Sequence, residues 1–354
     1  MDGSKAIGAS VIKDERITQE RLQQIHDLHG RYLRGQRNGR KAVLHDCDLR
    51  GLDLRRLDFT GAEFFACDFS KAQLGDAVFQ TAQLFGAKFD DAELCRTNFQ
   101  RADLRAATFE GAVLTDASLD GADLREGIIM NSTTIEITAD NGSTFRRAKL
   151  RGTNLANAKL KKAIFDQAIL DGTDLTGADL RAAQFRGAEL INPNLERTRL
   201  AEADLRGASL SGIDHALLEQ AMARVSRPAG DDPEAVMAKL QDHKIWFDSG
   251  GKEGSRADLS GLDLSGFDFA GANLAVAKLE CATLADANLS RAMLAAANLR
   301  GANLLRANLT GSDLRGADLV DTNLRQADMT DALTGELPGT GLFTLLKQNA
   351  AASA

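Results

Sequence analysis

The sequence predicts a solenoid, a rod made by stacking short coils, and three observations predict it. In RGANLLRANLTGSDLRGADL, residues 300 to 319, Leu304, Leu309, Leu314 and Leu319 stand five apart. A helix brings a face round about every 3.6 residues and a strand about every 2, so neither keeps these leucines together. Two residues before each large apolar residue the side chain is small, as at Ala62, Ala72, Ala77 and Ala82, and again at Ala272, Ala277, Ala282 and Ala287. The phenylalanines also recur every 20 residues: Phe59, Phe79 and Phe99; Phe69, Phe89 and Phe109; Phe145, Phe165 and Phe185. Side chains one coil apart stack and match in bulk, so four pentapeptides make one coil.

With the large residue called i, the columns run from Leu44 to Ile129, from Phe145 to Leu210 and from Leu259 to Met329. Asp or Asn often fills the place before i, which makes the repeat A(D/N)Lxx. This pattern resembles the pentapeptide-repeat family over most of residues 42 to 331. The resemblance implies an all-β solenoid, a right-handed quadrilateral β-helix, in two stretches with short capping α-helices. The residue at i then points inward, and so does i−2, where a narrow interior admits only Ala, Thr, Ser or Cys. Positions i−1, i+1 and i+2 face water, and the many glycines at i+2 mark the corners. Coils pair like parallel strands about 4.8 Å apart, and each end of such a rod needs a cap.

The elements follow in order. Residues 1–41 form a tail and a capping helix, since ITQERLQQIHDLHGRYLRG sets Ile25, Leu28 and Leu33 on one side. Residues 42–212 form the first β-helix, with a one-residue bulge or a protruding loop near 130–144, where Ile129 and Phe145 are separated by three repeats plus one residue. Residues 213–256 hold a closing helix in IDHALLEQAMARV, a linker in SRPAG, and a second capping helix with Asp232 as N-cap and Pro233 at its first position. The two capping segments look duplicated: His29 and Tyr32 in one match His243 and Trp246 in the other. Residues 257–333 form the second β-helix, and 334–354 a C-terminal cap or tail. Its Leu342, Phe343, Leu345 and Leu346 offer an apolar piece for capping or for a homodimer.

Composition narrows the classes of function. The chain has 354 residues, is 44% hydrophobic and 26% charged, and carries a formal charge of −7. It lacks the ~18 to 20 uninterrupted apolar residues of a membrane span, and MDGSKAIGASVIKDER lacks a secretory signal's apolar centre, which predicts a cytoplasmic protein without a membrane partner. Four cysteines make no disulfide framework. Cys47 and Cys67, 20 apart at i−2, read as stacked core fillers, while Cys95 and Cys281 read as outward. His26 and His29 form HxxH without a third ligand and read as capping or surface histidines, so no metal is expected. The acids and amides at i−1 recur along the whole rod instead of converging, and no phosphate-binding or nucleophile motif occurs. The sequence therefore reads as a protein that is not an enzyme and uses no cofactor.

Function is expected on the outside. One i+1 column reads Phe65, Phe85, Arg105 and Arg125, an outward aromatic pair beside two cations that suits a protein contact. A second candidate is a basic girdle of Arg146, Arg147, Lys149, Arg151, Lys159, Lys161 and Lys162, without an acid between 141 and 165. The leading reading is a non-enzymatic scaffold that presents rigid rows of side chains to a protein partner. The family resemblance also allows a DNA-mimicking binder and modulator of DNA gyrase or topoisomerase IV. The mixed surface argues against direct nucleic-acid binding.

Overall fold

The computed structural model describes residues 11–127, 129–130, 135–136, 142–213, 215–225, 227–228 and 233–337. The chain divides into two compact units, the first built mainly from residues up to 223 and the second mainly from residue 224 onward.

Backbone pairing confirms the coil of 20. Asp53 bridges Gln73, Gln73 bridges Glu93 and Glu93 bridges Val113, all parallel, and the second unit repeats this from Asp258 to Lys278 to Asn298 to Asp318. Leu54 N–H donates to the Gln73 carbonyl at 2.7 Å and Gln73 N–H to the Leu52 carbonyl at 2.9 Å, while Leu74 N–H donates to the Glu93 carbonyl at 2.8 Å, so each coil bonds the coils on both sides. Between sides the chain turns: Ala62 N–H donates to the Phe59 carbonyl at 3.0 Å. The third residue of that turn, Gly61, has a φ of 66°, as a type II turn requires. Glycine is not essential there, because Lys71, Asp76 and Arg96 occupy the same place at 61°, 60° and 58°. Each such residue costs about 1–2 kcal/mol. Burying one phenylalanine of ~200 Å² at ~25 cal/mol/Å² returns about 5 kcal/mol, so the column outweighs the corners.

The interior is a set of dry columns. Leu54, Phe59, Phe64, Phe69 and Leu74 are fully buried, as are Ala72, Ala77 and Ala82 at i−2. Phe69 stacks on Phe89 at 5.0 Å, Phe89 on Phe109 at 5.1 Å, Phe109 on Phe145 at 4.8 Å and Phe145 on Phe165 at 4.9 Å. Two of the ladders seen in the sequence are thus one. Threonine hydroxyls at i−2 recur in one arrangement: Thr97 donates to the Leu74 carbonyl at 2.8 Å and Thr173 to Leu150 at 2.6 Å, each 23 residues back.

The Asp and Asn at i−1 do more than solvate the rod. Asp48 Oδ1 accepts the N–H of Arg50 at 3.0 Å, Asn98 that of Gln100 at 2.9 Å and Asn308 that of Thr310 at 3.0 Å. Only a side chain as short as Asp or Asn reaches the amide two residues on, which explains their preference over Glu and Gln.

Regular elements are few and short because each side of the coil gives most coils only single bridges. In order they are β1 (Ile12–Lys13), α1 (Gln19–Leu33), β2 (Val43–His45), β3 (Glu63–Phe65), β4 (Ile129–Met130), β5 (Ile135–Glu136), β6 (Ile169–Asp171), β7 (Glu189–Ile191), β8 (Ser209–Ser211), α2 (His215–Gln220), β9 (Arg227–Pro228), α3 (Pro233–Asp248) and β10 (Leu262–Asp263). β1 pairs with β2 and β2 with β3, all parallel. Among the described residues no helix is long and apolar enough to cross a membrane.

Several expectations change. Thr108 pairs with Thr144 and Asp123 with Lys159, 36 residues apart instead of 20, so 16 residues leave the coil as an excursion. Ser143 N–H donates to the Leu124 carbonyl at 3.0 Å, closing the coil beneath it, and β4 and β5 pair antiparallel within the excursion. Ile129 pairs with Glu136 there and is no part of the column. In the segment read as a linker, Arg227–Pro228 form β9, parallel to β10. Cys281, read as outward, is buried, and burial pushes its thiol pKa up. Asp232 and the C-terminal Leu342, Phe343, Leu345 and Leu346 lie outside the described residues.

Candidate interaction surface

The outward column of the first unit is built by register. β2 and β3 align His45 with Phe65, and the coil period carries the line through Phe85, Arg105 and Arg125. Because Asp123 pairs with Lys159, the next residue above Arg125 is Lys161. The column thus joins four predicted residues to Lys161 of the girdle and adds His45, which the sequence reading missed although its spacing of 20 from Phe65 signals it.

The two rings are parallel. Phe65 and Phe85 lie 5.4 Å apart between centroids at 5°, and His45 sits 5.7 Å from Phe65. The Arg105 guanidinium lies 5.3 Å from the Phe85 centroid, a cation held over the ring's negative face. Arg105 also grips Asp103 with two bonds, at 2.8 and 2.7 Å, and that carboxylate raises its pKa. Phe65 is 37% exposed. Phe85 is half-buried, for the chain leaves the coil over it at Gly127, where an added Cβ would lie 2.7 Å from the ring. Farther along, Arg105, Arg125, Glu126 and Lys161 line a cleft of about 260 Å³.

The basic girdle is largely matched by acids that the linear window does not contain. Arg146 lies 3.6 Å from Asp166, Arg147 2.8 Å from Glu110, Arg151 3.0 Å from Asp171, Lys159 3.3 Å from Asp123 and Lys162 2.9 Å from Glu126. Those partners sit on neighbouring coils. Lys149 and Lys161 are exposed and have no ion pair among the described residues. Elsewhere Asp at i−1 and Arg at i+1 pair within one repeat, as in Asp53 with Arg55, Asp123 with Arg125 and Asp313 with Arg315. Arg55 holds Asp53 down to about 2.

The two histidines read as capping or surface residues face the first coil. His26 Nε2 accepts the N–H of Asp58 at 3.2 Å. His29 Nδ1 accepts the N–H of Ala42 at 3.1 Å and its Nε2 donates to the Thr60 carbonyl at 3.2 Å. Among the described residues no group of three or more His, Cys, Asp or Glu could hold a metal ion.

Among solved structures the chain is similar to HetL, a pentapeptide repeat protein involved in heterocyst differentiation regulation from the cyanobacterium Nostoc, at 21% identity over 90% of this chain and 97% of that one, with a TM-score of 0.24. It is also similar to QnrB1, a plasmid-mediated fluoroquinolone resistance protein, at 19% identity over 60% of this chain and 95% of that one, with a TM-score of 0.28. The cyanobacterial Rfr23 of Cyanothece aligns at 18% identity over 43% of this chain and 86% of that one, with a TM-score of 0.25. Comparison with curated proteins finds no match. The family model for pentapeptide repeats matches eight times, together spanning residues 42–129, 141–214 and 255–331. With more than half its length so matched and bridges of period 20 recurring along both units, the chain belongs to the pentapeptide-repeat family.

Proposed function

We propose that the chain is a non-enzymatic protein-binding scaffold of two helix-capped rods, and that the column from His45 to Lys161 is its contact face on the first. The observation that carries this reading is the exposed Phe65 ring, stacked on Phe85 beside Arg105. Most other i+1 positions of the first unit hold charged or polar side chains, which water serves well. An aromatic stack in the open gains by being covered, and aromatic and arginine side chains dominate binding energy at interfaces. The rod holds these groups in a row at about 4.8 Å spacing without ordering cost on binding.

Affinity purification with the wild type and with the Phe65→Ser/Phe85→Ser double variant tests this. A partner recovered by the first and lost by the second, with unfolding of the variant shifted by less than about 1 kcal/mol, is the expected outcome. Equal recovery by both overturns the assignment of this face. The DNA-mimic reading requires a continuous negative field. On this rod Arg55, Arg105, Arg125 and Arg181 cancel the carboxylates of Asp53, Asp103, Asp123 and Asp179 in place. Supercoiling by gyrase that stays unchanged in an excess of the protein is therefore expected, and a clear change would restore that reading.

A further inference from the structure

Two thiols at the start of the first rod are used by nothing described above. Cys47 and Cys67 both occupy i−2, and both are buried. The parallel bridge of Asp48 to Asp68, with Asp68 N–H donating to the Cys47 carbonyl at 2.9 Å, sets one directly over the other. Neighbouring coils lie about 4.8 Å apart, inside the ~4.4–6.8 Å between Cα atoms that a disulfide accepts. The remaining cysteines have no such neighbour: Cys95 is at i+1 and Cys281 at i+2 of distant repeats.

The cover over the pair is thin. Cys67 Sγ donates to the Leu44 carbonyl at 3.4 Å, deep between coils. Cys47 Sγ instead reaches the His45 carbonyl at 3.3 Å and, across the end of the rod, the Ile12 carbonyl at 3.5 Å. Ile12 belongs to β1, two residues long and paired only with β2. Lifting the single segment from Ile12 to Ile17, held by the Asp14 to His45, Asp48 to Glu15 and Ile17 to Asp48 backbone bonds, uncovers Cys47 and leaves Cys67 beneath it.

We propose that Cys47 and Cys67 form a redox-modification site, at which a hydroperoxide oxidises Cys47 and Cys67 then closes a disulfide between the first two coils. The Cys47 thiolate attacks one oxygen of hydrogen peroxide; the O–O bond breaks, Cys47 becomes a sulfenic acid, and hydroxide leaves and takes up the thiol proton as water. The Cys67 sulfur then attacks the Cys47 sulfur; the S–O bond breaks, the S–S bond forms, and a second water carries off the Cys67 proton. Two thiols are oxidised and one peroxide is reduced. The order of attack has electrostatic support: the adjacent Cys67 thiol holds Cys47 down to about 7, while Cys47 pushes Cys67 up. The product closes a loop of about 20 residues, which restricts the unfolded chain and fastens the outermost coil to the next.

The test uses the full chain, treated with hydrogen peroxide, alkylated under denaturing conditions and mapped by mass spectrometry. The expected product is a Cys47–Cys67 peptide lighter by two hydrogens, with Cys95 and Cys281 alkylated and a melting temperature raised by about 5–10 °C until dithiothreitol is added. Cys67→Ser is the folding-safe control, because a hydroxyl there donates to the Leu44 carbonyl as Thr97 does to Leu74. In that variant peroxide should leave a Cys47 sulfenic acid that dimedone traps, with no rise in melting temperature. Alkylation of both Cys47 and Cys67 after peroxide, or a main product through Cys95 or Cys281, overturns the proposal.

Discussion

The helix that opens each unit meets its first coil through the same histidine, and then the two helices part company. In α1 the N–H of Ala42 donates to His29 Nδ1 at 3.1 Å; in α3 the N–H of Ala257 donates to His243 Nδ1, also at 3.1 Å. Each ring stacks on the aromatic three residues later, Tyr32 at 5.9 Å and Trp246 at 5.5 Å. Leu22 and Val236 occupy equivalent buried places. The divergence lies elsewhere on the helices. α1 grips the coil's backbone with polar side chains, Gln19 exchanging bonds of 2.7 and 3.0 Å with Asp53. α3 puts Leu240 where α1 has His26, and Phe247 packs with Ala275 and Ala295 on the side of its own rod. The first rod has Thr60 and Gln80 at those two outward positions, and the counterpart of Phe247, Leu33, is 39% exposed. What a helix buries thus depends on the coil's outward column: alanines make a dry floor, and Thr and Gln do not.

The largest effect that sharpens this contrast is a truncation at the divergent site. Phe247→Ala should cost about 3–5 kcal/mol in denaturant unfolding, as large buried rings do. Leu33→Ala should stay within about 1 kcal/mol. Similar costs at both would dissolve the difference between the helices. A smaller, shared effect is expected where the chain passes under each helix. A Cβ at Gly39 would overlap the backbone of Arg31 and Tyr32, and one at Gly254 the backbone of Asp242 and Trp246. Overlap of this kind costs about 1–3 kcal/mol. Gly254 also has a φ of 72°, so Gly254→Ala should lose roughly 1–2 kcal/mol more than Gly39→Ala. An alanine tolerated at either position would mean that the close approach is not a shared device.

Much of this was legible in the sequence and some was not, for reasons that lie in particular residues. The column of i and i−2 was readable because a coil of 20 repeats its bulk: Phe69, Phe89 and Phe109 announce their own stacking. The pairing of His29 and His243 was readable because the aromatic follows each at the same distance. The fate of the outward positions was not, since a charge such as Arg147 finds Glu110 only after 16 residues have been looped out. Nor does an alanine at i+1 say in sequence whether water or Phe247 lies above it. The turn-closing role of Asp and Asn was within reach, because Glu is scarce where Asp is plentiful at i−1, and only reach distinguishes them.

The mildest test leaves the sequence alone and changes only pH. Both Nδ1 atoms accept a backbone N–H, so an imidazolium, with a proton on each nitrogen, cannot keep that bond. Burial lowers the pKa of both histidines below the ordinary value near 6.5. The groups facing His29 are Asp58, which opposes the shift, and His26 and Lys41, which add to it; Arg256 adds to it at His243. Between the folded and unfolded values the unfolded chain binds more protons, so stability is complete above about pH 6.5 and falls as pH drops below it. Asp48 and Asp53, held down to about 2, lose their contribution only below about pH 4, in a separate window. Burial raises Asp90, which acts in the opposite sense and is untouched by changes at the helices. Unfolding measured from about pH 6.5 to 5 should therefore show a slope that His29→Gln and His243→Gln each reduce and the double variant reduces most. Retention of the full slope by the double variant would show that the two helices do not share a proton-sensitive contact, and only their aromatic stacks would remain in common.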